Sequence, residues 1–179
     1  MNPWLSIWRH PRQTIRQIVE TRPGGAVPLV LMMTATVAKF SIQLIPIAQR
    51  MGWSVPITVF LSFVCGAMVG LVLYYLFGWL YQWVGSWLGG QAKNAEVRTA
   101  IAWVEVPTLA LTMLVLPLLF LSPMAAAILL MVAGFVVWIW QTVLACHTLG
   151  EVHRFSAWKG FGTLLIPNAL IAIDRKSVV

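Results

Sequence analysis

A chain of 179 residues that is 60% apolar and 9% charged has too little polar surface to clothe a water-soluble globule, and its mean hydropathy of +0.84 agrees. Lipid must solvate most of the exterior, so the chain reads as an integral membrane protein. A net charge of +7 would suggest nucleic acid in a soluble chain, but here the bases sit in short segments beside apolar runs, where they set orientation and meet anionic headgroups. No nucleic-acid partner is expected.

Residues 1–25 read as an interfacial segment. Pro11 suits a first helical turn after His10, and the helix that follows sets Ile15, Ile18 and Val19 against Arg12, Gln13 and Arg16. With Trp4, Leu5, Ile7 and Trp8 upstream, this segment is amphipathic enough to lie at headgroup level, with Trp4, Trp8, Arg12 and Arg16 as interface residues. Packing across the end of a bundle would use the same pattern. Arg9, Arg12, Arg16 and Arg22 precede an apolar run that lacks a small-residue cleavage site, so a cleavable signal is not expected.

Pro23-Gly24-Gly25 is a break, after which five spans are predicted: 26–48, 56–88, 97–121, 124–149 and 157–173. Pro46 should end the first. The second is too long for the ~30 Å hydrocarbon core and has to tilt, bend or project. Gly89-Gly90 closes it, and Asn94 in the polar loop beyond is placed to cap the next helix. The third contains Glu105, Pro107 and Pro117, so a kink is expected. Gly150–Phe155 reads as a polar loop, and the fifth span, interrupted by Pro167 and Asn168, is the least apolar. The predicted fold is an all-α bundle of five transmembrane helices behind a short interfacial helix, forming one domain over 1–179. With the N-terminus inside, eight bases fall on the cytoplasmic side (Arg9, Arg12, Arg16, Arg22, Lys93, Arg98, Arg154, Lys159) and three outside (Arg50, Arg175, Lys176). That asymmetry predicts a cytoplasmic N-terminus and an external C-terminus.

Lys39 and Glu105 are the two charges well inside the apolar stretches. Counted from the cytoplasmic end they lie at depths of ~19 and ~12 Å, which a lysine stem can bridge if the helices are neighbours. An ionisable group so deep has to face the bundle and find a partner, so a Lys39–Glu105 pair is predicted, either as a static clasp or as a substrate or proton site. Ser62, Gly66 and Gly70 form a small-residue stripe that admits a close helix, either internal or from a second copy. Tyr75, Trp79, Trp83 and Trp87 form another stripe, read as an interfacial belt or as a lipid-headgroup groove. Cys65 and Cys146 sit in apolar helices and imply no disulfide. No GxSxG, HExxH or phosphate loop occurs, and His147 and His153 lack a third ligand at metal spacing, so neither catalytic residues nor a metal or cofactor is predicted.

Three blocks carry a family resemblance: Asn2-Pro3-Trp4-Leu5-Ser6-Ile7-Trp8 with Pro11 and Arg12; Glu96-Val97-Arg98-Thr99-Ala100-Ile101-Ala102-Trp103 leading to Val106-Pro107; and Gly150-Glu151 followed by Phe155-Ser156-Ala157-Trp158. In order and spacing the chain resembles the Ypt-interacting protein (Yip) family of five-pass membrane proteins, in its short bacterial form. The resemblance implies five spans with a cytoplasmic N-terminus. Eukaryotic members usually carry a long N-terminal extension that engages small GTPases and coat machinery, whereas about 25 residues precede the first span here, too few for a separate domain. The expected role is non-enzymatic organisation of lipid or partner proteins in the bacterial inner membrane. Membrane lipids, other membrane proteins or a second copy are the expected partners. A small transporter or lipid-translocating protein, with its site at Lys39 and Glu105, is the alternative.

Overall fold

The computed structural model describes residues 2–21 and 24–177, with side chains to 167. Arg22 and Pro23, and the side chains of Asn168, Arg175 and Lys176, lie outside the described residues. Eight helices follow in chain order: α1 (Pro3–Ser6), α2 (Pro11–Thr21), α3 (Ala26–Met51), α4 (Val55–Trp87), α5 (Asn94–Trp103), α6 (Val106–Leu121), α7 (Pro123–Val152) and α8 (Ala157–Ser177). Among the described residues four stretches are long and apolar enough to cross a membrane: α3, α4, α5 with α6 as one broken span, and α7. The interfacial segment contributes α1 and α2, packed against the ends of α5 and α7 with Ile7 and Ile15 fully buried. α8 lies against α7 and α4 and is not among the four.

The antiparallel α3–α4 hairpin is the most extensive contact in the fold. It forms because Gly66 and Gly70 expose bare backbone to α3. A Cβ on Gly66 would lie 2.6 Å from the Cα of Val37, and one on Gly70 would lie 2.8 Å from the Cα of Met33. Ser62 is buried on the same face. The stripe read from sequence thus meets an internal helix here. Carried along the pair, this register sets Gly78 level with Gly25, so the last turns of α4 run roughly ten residues, ~15 Å, past the start of α3. The excess length of α4 is used as a projection.

Around that projection gathers the largest buried cluster, which joins Ile7 and Ile15 to Tyr74, Val97, Ile101, Trp103, Leu149 and Val152. Thr14 hydrogen-bonds Ser6 (2.8 Å) and the carbonyl of His10 (2.9 Å), fixing the corner between α1 and α2. Arg16 Nε bonds Glu151 at 2.6 Å and ties α2 to the end of α7. Lys159 donates to the Leu88 carbonyl (3.0 Å), answering one of the unpaired carbonyls at the end of α4. At the opposite end the core thins to Ile45, Val115, Leu119 and Ala126. Most of α7 there faces outward, with 6% of its most apolar stretch buried.

Several predicted boundaries move. Pro46 lies inside α3, and the helix stops at Gly52, whose positive φ of 68° lets Trp53 N–H reach the Ala48 carbonyl at 2.9 Å. Asn94 is the first helical residue of α5. Glu96 reaches back instead, accepting the Lys93 N–H at 2.9 Å. α7 continues through Gly150 and Glu151 to Val152, and its stop is made by Arg154 in the left-handed region (φ 60°), with Phe155 N–H on the Gly150 carbonyl at 2.9 Å.

Placing a methyl group in the hairpin seam has a definite cost. Gly66→Ala should lower stability by about 1–3 kcal/mol, because the clash is with backbone that cannot rotate away. Gly134→Ala, whose Cβ meets its nearest neighbour at 4.0 Å, should be near neutral. Thermal unfolding of both variants in detergent checks the contrast, and equal losses would remove the seam from its place in the fold.

Candidate functional site

Breaking a helix at hydrocarbon depth leaves backbone groups that no water can satisfy. The third span breaks at Val104–Glu105, just before Pro107, which has no N–H to give the preceding turn. The Val104 carbonyl is taken by the side chain of Gln141 on α7, which donates to it at 3.1 Å. The same amide nitrogen lies 3.2 Å from Glu105 Oε2 and 2.5 Å from Thr108 Oγ1. Lys39 on α3 approaches from the other side, with Nζ 2.9 Å from Oε1 and 2.7 Å from Oε2 of Glu105. The carboxylate therefore receives donors from two neighbouring helices, and the brace ties α3, α6 and α7 together.

Burial is unequal across the pair. The Glu105 side chain is 14% exposed and the Lys39 side chain 43%. The lysine forms part of the wall of a small groove of about 190 Å³ between α3, α6 and α7, with Gln43, Thr108, Gly134, Trp138 and Gln141. Depth matching explains the meeting. Glu105 and Gln141 each lie about eleven residues, ~16 Å, inside the end of the bundle that carries α2, and Lys39 lies ~20 Å inside it. Glu105 is deeper than the sequence boundary implied, because α5 begins at Asn94 rather than Val97. Counting charges could not find Gln141 or Thr108, since neither is charged. The signal that finds Gln141 is a lone amide in the apolar run Met124–Cys146 at the depth of Glu105.

Arg12, Arg16 and the α4 aromatic column lie at the α2 end, whereas Trp4 and Trp8 border an apolar groove that reaches Val106 and Leu109 beside the break. Trp4 is exposed and packs on buried Trp103, ring centroids 5.0 Å apart, while Trp8 is half-buried beside it. Arg12 and Arg16 line a larger polar cavity of about 640 Å³ with Glu20, Glu96, Glu151 and Arg154. Tyr75, Trp79, Trp83 and Trp87 stand exposed in a column on the outer face of α4, with Trp79 and Trp83 stacked at 5.8 Å. His153, which lacks a third ligand at metal spacing in the sequence, is 1% exposed. Its ring fills the space left by the missing side chains of Gly85 and Gly90 and stacks on Phe155 at 5.1 Å. Burial lowers the His153 pKa from its ordinary 6.5, with the Tyr81 carbonyl and the Glu96 carboxylate pulling the other way.

Long apolar helices, a brace of polar groups at hydrocarbon depth and an aromatic column at one end define the class: a multi-pass helical membrane protein. Within that class, the family model described as Yip1 domain matches residues 5–173, and the chain belongs to the Yip1-domain family. No curated protein and no solved structure matches it.

Two outcomes follow. Lys39→Met and Glu105→Gln should each destabilise by about 1–3 kcal/mol by leaving a charge or acceptor unpaired, and the double variant should lose less than their sum. A thermal double-mutant cycle in detergent measures the coupling, and strict additivity would dissolve the brace. His153 is held neutral by burial, so its contribution is present above its unfolded pKa near 6.5 and lost as pH falls from there toward the lower folded value. Melting temperature should drop between about pH 7.5 and 5.5, and the drop should shrink in His153→Gln. An identical drop in both proteins would assign the effect elsewhere.

Proposed function

We propose that this Yip1-domain protein is a non-enzymatic scaffold of the bacterial inner membrane, which organises lipid or partner proteins from the end that carries α1 and α2. The observation that carries this reading is the fate of the intramembrane charges. Glu105 is consumed by Lys39 and Gln141 in a brace between helices, and the groove beside it is small. A carrier would need its polar groups free to exchange partners along a path. The large polar cavity lies at the other level, beside α2 and the end of α7, where a partner arriving from water would meet it.

The base count, eight against three, supports a cytoplasmic α2 end. α8 runs away from that end against α7, and its 21 residues reach ~31 Å, enough to make a fifth crossing and bring the C-terminus outside. The contact surface is α2, Arg154 and the projecting end of α4.

Two arms test the proposal. A photo-crosslinker at Glu20, on the cavity, should give a discrete membrane-protein or lipid adduct in native membranes, and one at Val136, on the outward face of α7, should give only bulk lipid. In liposomes, wild-type protein and Glu105→Gln should show the same background of solute flux and lipid scrambling. Activity in the wild type that Glu105→Gln abolishes would overturn the scaffold in favour of a carrier.

A further inference from the structure

Arg98 is one of two arginines, with Arg12, whose buried Nε has no hydrogen-bond partner among the described residues. It rises from the second turn of α5, and its aliphatic stem lies in the slot that Gly78 opens on α4, where any Cβ would collide with it. The guanidinium carbon stands 4.8 Å from the ring of Tyr75 and 5.5 Å from that of Tyr74. Among the described residues the ion pairs are Arg16–Glu151 and Lys39–Glu105, so no carboxylate reaches Arg98. Its buried Nε has no hydrogen-bond partner, and neither does the Tyr74 hydroxyl, which is also buried. A guanidinium carries five N–H donors, and ring faces attract its charge without accepting hydrogen bonds in its plane. Although a tyrosine hydroxyl can accept, none is bonded to the Arg98 Nε, so that donor is left without an acceptor inside the cluster.

Its level in the fold says where an acceptor would come from. The α3–α4 register puts Gly78 beside Gly25, just before the first residue of α3, and Gly24 N–H bonds Thr99 at 2.9 Å, which sets the residue next to Arg98 at the same height. That height is where the apolar span begins, at the inner edge of the headgroup layer that holds the lipid phosphates. Tyr75 is 51% exposed on the outer face, and Trp79, Trp83 and Trp87 continue the column toward the headgroups. The side is open to lipid.

We infer that Arg98, flanked by Tyr74 and Tyr75 in the slot at Gly78, binds the phosphate of a membrane glycerophospholipid from the α2-side leaflet, with the aromatic column of α4 packing along the headgroup and glycerol. The planar fork of arginine takes two phosphate oxygens at once, which a lysine or a neutral donor does not. The inference deepens the scaffold reading by naming a lipid class and a site, and it rests on that reading for its purpose only. The Glu20 crosslinking arm is independent of Arg98, so an absent lipid site and an absent scaffold are separable results.

The test uses the full chain, delipidated in detergent and titrated with phosphatidylglycerol, with diacylglycerol of the same chains, and with inorganic phosphate, occupancy being read by native mass spectrometry. Phosphatidylglycerol should bind saturably, about tenfold more weakly to Arg98→Gln, which loses a charge-assisted bidentate contact. Tyr75→Leu should weaken it about threefold by removing the exposed ring face. Arg50→Gln, on an exposed turn at the opposite end, should leave it unchanged. Equal affinity in wild type, Arg98→Gln and Tyr75→Leu overturns the site, as does diacylglycerol binding as tightly as phosphatidylglycerol. Inorganic phosphate that displaces the lipid at equal concentration would make the site one for free phosphate and overturn the lipid assignment. If Arg98→Gln fails to fold, Tyr75→Leu decides alone, since its side chain stands on the surface.

Discussion

In hydrocarbon a broken helix has to find its lost hydrogen bonds inside the protein, and the rest of this bundle is arranged around one such break. Pro107 interrupts the third span, and the exposed Val104 carbonyl draws in Gln141 from α7. The turn also presents Glu105 toward α3, where Lys39 neutralises it. Three helices that share only apolar surface with lipid on either side have little reason to prefer one another, because lipid tails solvate leucine as well as another helix does. The brace supplies the missing preference. It also fixes the depth of each helix relative to the others, because the partners meet only when α3, α6 and α7 stand at one height.

The glycine seam does for α4 what the brace does for α7. Its two close approaches, at Val37 and Met33, leave the hairpin one register, and that register decides how much of α4 projects beyond α3. The projection packs against the short α5 and the start of α8, and the end of α7 and the amphipathic α2 pack in turn against α5. Small residues recur at each approach: Gly78 admits Arg98, Gly85 and Gly90 admit the ring of His153, and Gly160 lies against the backbone of Cys146. The polar chemistry of the chain gathers at this end because water is available there to share the cost of unpaired donors.

How far this could be read from the chain depended on the kind of force involved. Lys39 and Glu105 were legible because a charge in an apolar run is conspicuous, and helical rise converts position into depth. Gln141 was not, because a neutral amide leaves no mark in a charge map and acquires its meaning only from a carbonyl on another helix. The stop at Pro46 was expected from the behaviour of proline in isolated helices, yet the chain bends its rule inside a packed bundle and stops at Gly52, where a left-handed residue is sterically free. The opposite error occurred at the end of α7. Arg154 takes the left-handed position, so no glycine marks the stop. Gly150 and Glu151 look like loop residues until the Arg16 bridge is seen. His153 was set aside for want of metal partners, and its burial depends on two glycines more than sixty residues away in the chain.

The distribution of packing bears on why such a bundle would be a scaffold at all. The α2 end buries residues from α2 through α7 in one continuous cluster with Leu164 of α8 packed against it, whereas the far end is held by a handful of contacts among α3, α6 and α7. A well-packed, polar-surfaced head on loosely packed apolar legs keeps its shape where partners and headgroups meet it and lets the legs adjust to the lipid around them. The brace lies between the two regions. It is deep enough to hold the legs in register and close enough to the head to pass on a displacement of α7, because Gln141 and Glu151 sit on the same helix and bond to α6 and α2 respectively. α2 and the kink are therefore both bonded to one continuous helix.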